Sequence, residues 1–303
     1  MADISLPKEA DVSRPRIRID QRAILLSLPA IIIVLLLFCY PLLFGLDLSL
    51  RETQKSVSWS LTNYIQFFSD PYQRSTIWIT FQVALPVTFF SVIFSIPLAY
   101  YMRRGIRFER LITIMLILPI TLGTVMVAQG MLDYFSPTGW FNRVLLAAGI
   151  LHQPLNFLHH QLAVEIALFI QGFPFVFLLI LGYMSAISPD LERASHMLGA
   201  GSWLTFWRVI FPLSLPGIAV AFCLNFVANF SVFPTVYLVG EPTNETHVLT
   251  IAAYETAYTN YNIPLGTAIA IVMAILELAV IGLVLWLQRR TSRGATISGG
   301  KGA

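Results

Sequence analysis

The chain has 303 residues, of which 56% are hydrophobic and only 12% charged, with a formal net charge of +3. Soluble domains carry about 25% charged residues, so a water-soluble globular protein is excluded, and so small a basic excess gives no ground for a nucleic-acid partner. Cys39 and Cys223 both fall within apolar runs, which predicts buried small residues rather than a disulfide or a metal pair.

Residues 1–22 read as a polar tail containing Pro7 and Pro15. Uncharged runs then cover 23–46, 75–102, 111–132, 166–189 and 209–240, and 256–288 is interrupted only by Glu277. A bilayer core of about 30 Å needs about 20 helical residues, so each run is long enough to cross, and the prediction is an all-α, multi-pass membrane protein with six spans. The first run follows basic residues as a signal peptide would. It is too long and ends in Tyr40-Pro41 without a small-residue cleavage site, so it is read as a retained helix. The run 209–240 exceeds one level span, and Pro212, Pro216 and Pro234 predict surface-lying or broken ends. Pro86, Pro97, Pro119 and Pro174 mark possible kinks in other spans.

Lys and Arg set the orientation. With a cytoplasmic N-terminus, fifteen of these residues fall inside and four (Arg51, Lys55, Arg74 and Arg143) outside. That bias places both termini in the cytoplasm. The exterior segments are 47–74, with Trp59, Tyr64, Phe67, Phe68 and Tyr72 suited to the interface, then 133–161 and 241–262. In the second, a Pro137–Trp140 turn precedes a predicted amphipathic helix over 141–151, with Val144, Leu145, Ala148 and Leu151 on its apolar side. His152, His159 and His160 are not spaced one helical turn apart, which argues against zinc. The Gly-rich tail within 289–303 does not have the spacing of a phosphate-binding loop, and no such loop or catalytic constellation occurs elsewhere, so no enzyme site is predicted.

Polar residues inside the spans are costly and point to glue between helices or to a passage. They are Gln82, Gln129, Gln171, Asn225, Asn229 and Glu277, with the two asparagines one turn apart on one face. Each amide alone suits interhelical hydrogen bonding, and as a set they suit a narrow polar path. Glu277 near a span's middle must be protonated, paired, or met by a cationic solute.

The insert 185–211 between the fourth and fifth spans is polar and helix-forming. Ser188 can cap a helix, Pro189 suits its first position, and Asp190 and Glu192 favour its positive end. Leu191, Ala194 and Leu198 form one apolar stripe, and Gly199 supplies the left-handed residue that ends a helix. By itself this suits an ordinary surface helix as well as a docking element. The segment resembles the coupling motif of binding-protein-dependent ABC importer permeases, an acidic–Ala–Ala triplet followed four residues later by Gly and then an apolar–Pro element. The triplet positions are Arg193, Ala194 and Ser195, with Gly199 in place and Ile210-Phe211-Pro212-Leu213 downstream. Arg193 stands where the family usually carries Glu, with Glu192 adjacent, and Ser195 replaces an Ala.

The resemblance covers about 72–288 of a transmembrane domain at 23–288. It implies the type I ABC importer permease fold in a bacterial inner (cytoplasmic) membrane. It further implies two permeases, identical or homologous, two ATPase subunits beneath them, and a periplasmic solute-binding protein. ATP and Mg would be used by the ATPases, with no cofactor bound by this chain. Leu191, Glu192, Arg193, Ala194, Met197, Leu198 and Gly199 become the expected ATPase-coupling residues. Leu198-Gly199-Ala200 resembles the polyamine, thiamine and iron branches. The exterior segments carry seven acids against four bases, so a polyamine or similar organic cation is the expected solute. A sugar or other organic solute is the alternative, and a stand-alone secondary transporter or channel is the rival class.

Overall fold

The computed structural model describes residues 21–297 apart from 57, 106 and 108, so most of the predicted tail 1–22, and 298–303 of the tail 289–303, lie outside the described residues. Among the described residues the structure is helical, with an isolated bridge between Arg51 and Trp59 in place of any strand. Two compact units divide the chain, Met1–Gly45 and Leu46–Ala303. The first holds most of α1 (Gln21–Ser49), which stays helical through Pro29 and Pro41 and exposes every side chain from 31 to 44, Cys39 included. The expectation of a buried Cys39 therefore fails, because an apolar position that faces lipid looks the same in sequence as one that faces protein.

The second unit contains α2 (Thr62–Ser69), α3 (Pro71–Met102), α4 (Glu109–Phe135), α5 (Trp140–Ala147) and α6 (Gln161–Ser185). There follow α7 (Pro189–Met197), α8 (Ser202–Thr205), α9 (Phe211–Phe230), α10 (Pro234–Val239), α11 (Leu249–Tyr254) and α12 (Ile263–Ile297). Among the described residues six helical stretches are long and apolar enough to cross a membrane, matching the six predicted runs. Of the prolines in the run 209–240 only Pro234 marks a break, α10 being a separate short helix after Ser231; the helix runs on through a π-helical turn, Phe206–Ile210, into α9, with Pro212 in its first turn and Pro216 inside it. The sixth span starts at Ile263 rather than 256, because Glu255–Thr259 continues α11 as a second π-helical turn and the chain leaves the helix at 260–262, with Tyr261 at φ +56°. In α4 the break falls at Gly123 (φ +75°), and Pro119 sits within the helix. Proline removes one N–H and can be absorbed, whereas the backbone at Gly123 is one that side-chain-bearing residues avoid.

α3 packs along α6 and α9, and its inward face is a column of small residues, among them Thr76, Thr80, Ala84, Thr88, Ser91 and Ser95. Lipid offers no water to exclude, so helices associate through close van der Waals contact, which small residues permit. The threonine hydroxyls are satisfied within their own helix, donating to the carbonyls of Gln73, Thr76 and Ala84 at 2.5, 2.6 and 2.8 Å. Gly172 lets α6 meet α9, since a Cβ there would lie 2.5 Å from Asn225 Oδ1. One apolar cluster joins α3, α6 and the end of α4 to α10 and α11, a second joins the Met102 end of α3 to α6, Phe206 and Ile210, and a third ties α2 and α3 to α9 and α12.

In the second exterior segment the helix ends at Ala147, and its only buried residue is Asn142 rather than the predicted apolar side. Asn142 Nδ2 donates to the carbonyls of Ser136 and Leu155 (2.8 and 3.0 Å), and Oδ1 accepts from Leu155 N–H (2.8 Å). One amide thus holds both flanking turns, while Val144 remains 42% exposed.

Candidate coupling helix and polar path

The local chemistry of α7 follows the sequence. Ser188 Oγ accepts from Asp190 N–H (3.3 Å), and Pro189 lies in the first turn. At the other end Gly199, at φ +84°, donates to His196 O (2.9 Å) and Ala200 N–H donates to Ser195 O (3.1 Å). These two bonds and the left-handed residue make a Schellman closure, which satisfies carbonyls that a helix end otherwise leaves open.

No residue of α7 is buried. Met197 and the capping Leu198 are 88% and 89% exposed, with Leu191 and Ala194 also exposed, so the predicted apolar stripe faces away from the bundle. Arg193 is exposed too and pairs with Asp190 at 3.3 Å. Glu192 differs from the other expected coupling residues. It turns inward, and its Oε1 lies 3.6 Å from a guanidinium nitrogen of both Arg103 and Arg104, just beyond α3. Ser195 makes the second tether, its hydroxyl 2.9 Å from that of Thr205 in α8.

The intramembrane polar residues divide by burial. Asn225 and Asn229 are 1% and 5% exposed. Asn229 Nδ2 donates to Thr88 Oγ1 (3.1 Å), and Asn225 sits against Gly172, so both lie where α9 meets its neighbours. Gln171 exchanges hydrogen bonds with Thr235 of α10 (3.1 and 3.3 Å). Gln82 is exposed, and Gln129 is spent one turn along its own helix, donating to Asp133 Oδ1 (3.1 Å). Glu277 accepts a short hydrogen bond from Ser231, the residue that caps α9, and among the described residues it joins no ion pair. Higher on α12, a cavity of about 370 Å³ is lined by Phe233, Thr250, Tyr254, Tyr258, Thr267 and Met273.

On the exterior side, several of the seven acids have close basic neighbours. Asp47 pairs with Arg51 (2.6 Å), Glu245 with His160 (3.5 Å) and Glu255 with His247 (3.2 Å). His159 donates its N–H to Val239 O (2.9 Å), and its Nδ1 lies 3.0 Å from Gly240 O. His247 is 1% exposed and stacks on Tyr72, whose hydroxyl donates to Thr243 O (3.2 Å). Burial pushes its imidazole pKa below the ordinary value, against the opposing pull of Glu255. Sequence reasoning used Arg103 and Arg104 only for orientation and missed their approach to Glu192. The two adjacent arginines at a span's end were a visible signal, but their partner was not.

Residues 91–293 match the family described as the binding-protein-dependent transport system inner membrane component, and the chain belongs to that family. It is the permease subunit of an ABC importer and a multi-pass membrane protein. It is similar to the trehalose transport system permease protein SugA of Mycobacterium tuberculosis, at 27% identity over 274 residues covering 86% of this chain and 87% of that one. The spermidine/putrescine permease PotB of Haemophilus influenzae is 26% identical over 182 residues, 60% of this chain and 63% of its own. A solved bacterial alginate ABC transporter, in complex with an alginate pentasaccharide-bound periplasmic protein, shares the fold. Its matching chain has a TM-score of 0.77 at 22% identity, over 90% of this chain and 96% of that one.

Proposed function

We propose that this permease works as one of a pair, identical or homologous, above two ATPase subunits that dock on α7, and receives its solute from a periplasmic binding protein. The observation that carries this is the exposed apolar rim of α7, with Met197 and Leu198 nearly fully exposed on a capped helix that has no buried residue. An exposed apolar surface held in a fixed conformation is what a cytosolic partner's groove would grip. Leu191, Arg193, Ala194, Met197 and Leu198 form the grip, and Gly199 sets its angle. ATP and Mg act in the partner ATPases.

The polar path runs past Gln171, Asn225, Asn229 and Glu277, with Gln82 and Gln129 at its margins. Its amide and hydroxyl groups, Gln171 with Thr235 and Asn229 with Thr88, suit a neutral, hydroxyl-rich solute, and we infer a sugar. Likeness to a trehalose permease over 86% of the chain supports that class. The acidic-entrance argument for a polyamine loses Asp47 to its ion pair with Arg51, while Glu245 and Glu255 face imidazoles that offset their charge only when protonated. An organic cation remains the second reading, favoured by Glu277, whose described partner is a hydroxyl rather than a base.

Purification with the natural neighbouring subunits, followed by uptake into vesicles loaded with ATP, tests both levels. An ATPase should co-purify, and unlabelled disaccharide rather than spermidine should compete for uptake. Competition by spermidine alone would select the cation reading, and absence of any ATPase would overturn the coupling role of α7.

A further inference from the structure

The inward turn of Glu192 is not explained by docking, because an acid aimed at the bundle offers nothing to a cytosolic groove. Its side chain is 13% exposed and that of Arg103 is 4% exposed, on a helix whose other charged residues face water. Arg104 lies on the same carboxylate oxygen and donates from Nη2 to Tyr100 Oη (2.7 Å). Both guanidinium groups stand over the Tyr100 ring, at 5.9 and 4.9 Å, and Tyr100 packs on Phe206 at 4.8 Å. A low-dielectric site strengthens such an attraction.

Resting on the coupling reading of α7, we propose that Glu192 is a positioning residue. It latches the coupling helix to the end of α3 through Arg103 and Arg104, so that force received by α7 reaches the path through α3 as well as α9. The connectivity closes a ring. From α7, one route runs through Glu192, Arg103 and Arg104 into α3, which carries Thr88. The other runs through Ser195 and Thr205 into Phe206 and then α9, which carries Asn229. Thr88 and Asn229 meet by a hydrogen bond, so the two routes end on the same pair. Without the latch α7 would reach α3 only indirectly, through α6 and through the packing of Phe206 and Ile210 on the Met102 end of α3. The 3.6 Å separations exceed hydrogen-bonding distance, so the attraction is between charges and leaves the helix free to tilt by small amounts without breaking it.

The test reconstitutes the complete transporter and measures solute imported per ATP hydrolysed. Glu192→Gln keeps the shape and removes the charge, so the ATPase should still assemble and respond to the binding protein. Solute per ATP should fall by about fivefold or more, the lower end of coupling effects between sites. Arg103→Gln should do the same, and the double variant should be no worse than either single one, as partners in one interaction require. Glu192→Asp, which keeps the charge on a shorter stem, should recover part of the ratio. If Arg103→Gln fails to fold, Arg104→Gln at the more exposed guanidinium gives the same readout with a smaller drop. Unchanged solute per ATP in Glu192→Gln would overturn the latch. Loss of the ATPase from Glu192→Gln would also overturn it, by making the acid a docking contact. A wild-type chain that captures no ATPase would instead defeat the coupling reading beneath it.

Discussion

Gly199 offers the most discriminating substitution series in the chain. Its φ of +84° lies in the left-handed region, and a Cβ placed there meets nothing within 4 Å. Within this chain, any defect at this position must therefore come from the backbone and not from a clash. An ordinary L-residue in that region costs roughly 1–2 kcal/mol, which corresponds to about a 5–30-fold loss in the capped population. The two closing bonds, Gly199 N–H to His196 O and Ala200 N–H to Ser195 O, would open together. Leu198 would then lose the fixed direction that makes it part of the grip. Asn tolerates left-handed geometry better than Ala, and β-branched Val tolerates it worst. Capture of the ATPase by the purified chain, read as a dissociation constant, should therefore weaken in the order Gly, Asn, Ala, Val, with Val about 5–30-fold weaker than Gly and membrane insertion unchanged throughout. If binding follows side-chain volume instead, so that Ala binds better than Asn, the argument is refuted and the glycine is there to make room for the partner.

Met197→Asp or Leu198→Asp should place a charge in the proposed groove and weaken ATPase capture by about 2 kcal/mol or more, roughly 30-fold, with normal insertion; unaltered pull-down would remove the rim from the interface. Glu277→Gln can still accept from Ser231, so assembly should survive; initial uptake rates should fall for an organic cation and stay level for a sugar. Asn229→Leu leaves Thr88 bonded to Ala84 O and should assemble while lowering uptake of either solute, and unchanged kinetics would take Asn229 off the path. His247 has a folded pKa below the ordinary 6.5. The unfolded segment therefore gains its proton first as pH falls, so protection of the 240–248 backbone in hydrogen exchange should be constant above about pH 6.5 and decline below it. His247→Asn should flatten that profile, and a profile that stays pH-dependent in the variant would assign the effect to other groups.

The spans were legible because a bilayer demands a long uncharged run, and few other structures in a protein need one. α7 was legible for a different reason: Ser188, Pro189 and Gly199 act within a few residues of themselves, so their chemistry survives without tertiary context. The π-helical turns at 206–210 and 255–259 were not legible, since one extra residue in a turn leaves no compositional trace. The start of the sixth span was misplaced because the break at 260–262 is made by Tyr261, at φ +56°, with neither Gly nor Pro among those three residues to mark it. Gly123 was passed over for Pro119 because proline is the louder signal, although glycine is the residue that can take the broken conformation.

The polar residues show where local reasoning stops. In sequence Gln82, Gln129, Gln171, Asn225, Asn229 and Glu277 form one class, amides and an acid in apolar runs. Their partners separate them, and those partners lie far away in the chain: Thr88 for Asn229, Thr235 for Gln171, Ser231 for Glu277. Asn225 and Asn229 are held between helices of one subunit, so a solute can reach them only if α3, α6 and α9 shift relative to one another. Gln82 and Gln129 are exposed without such a shift. On the proposed path the buried pair is thus the part that a conformational cycle would open and close, and Asn229 lies where the two proposed routes from α7 meet. A contribution of Asn229 to uptake should accordingly depend on an intact Glu192, and the Asn229→Leu effect should shrink in a Glu192→Gln background. Full additivity of the two would place them on separate devices and confine α7 to the α9 route.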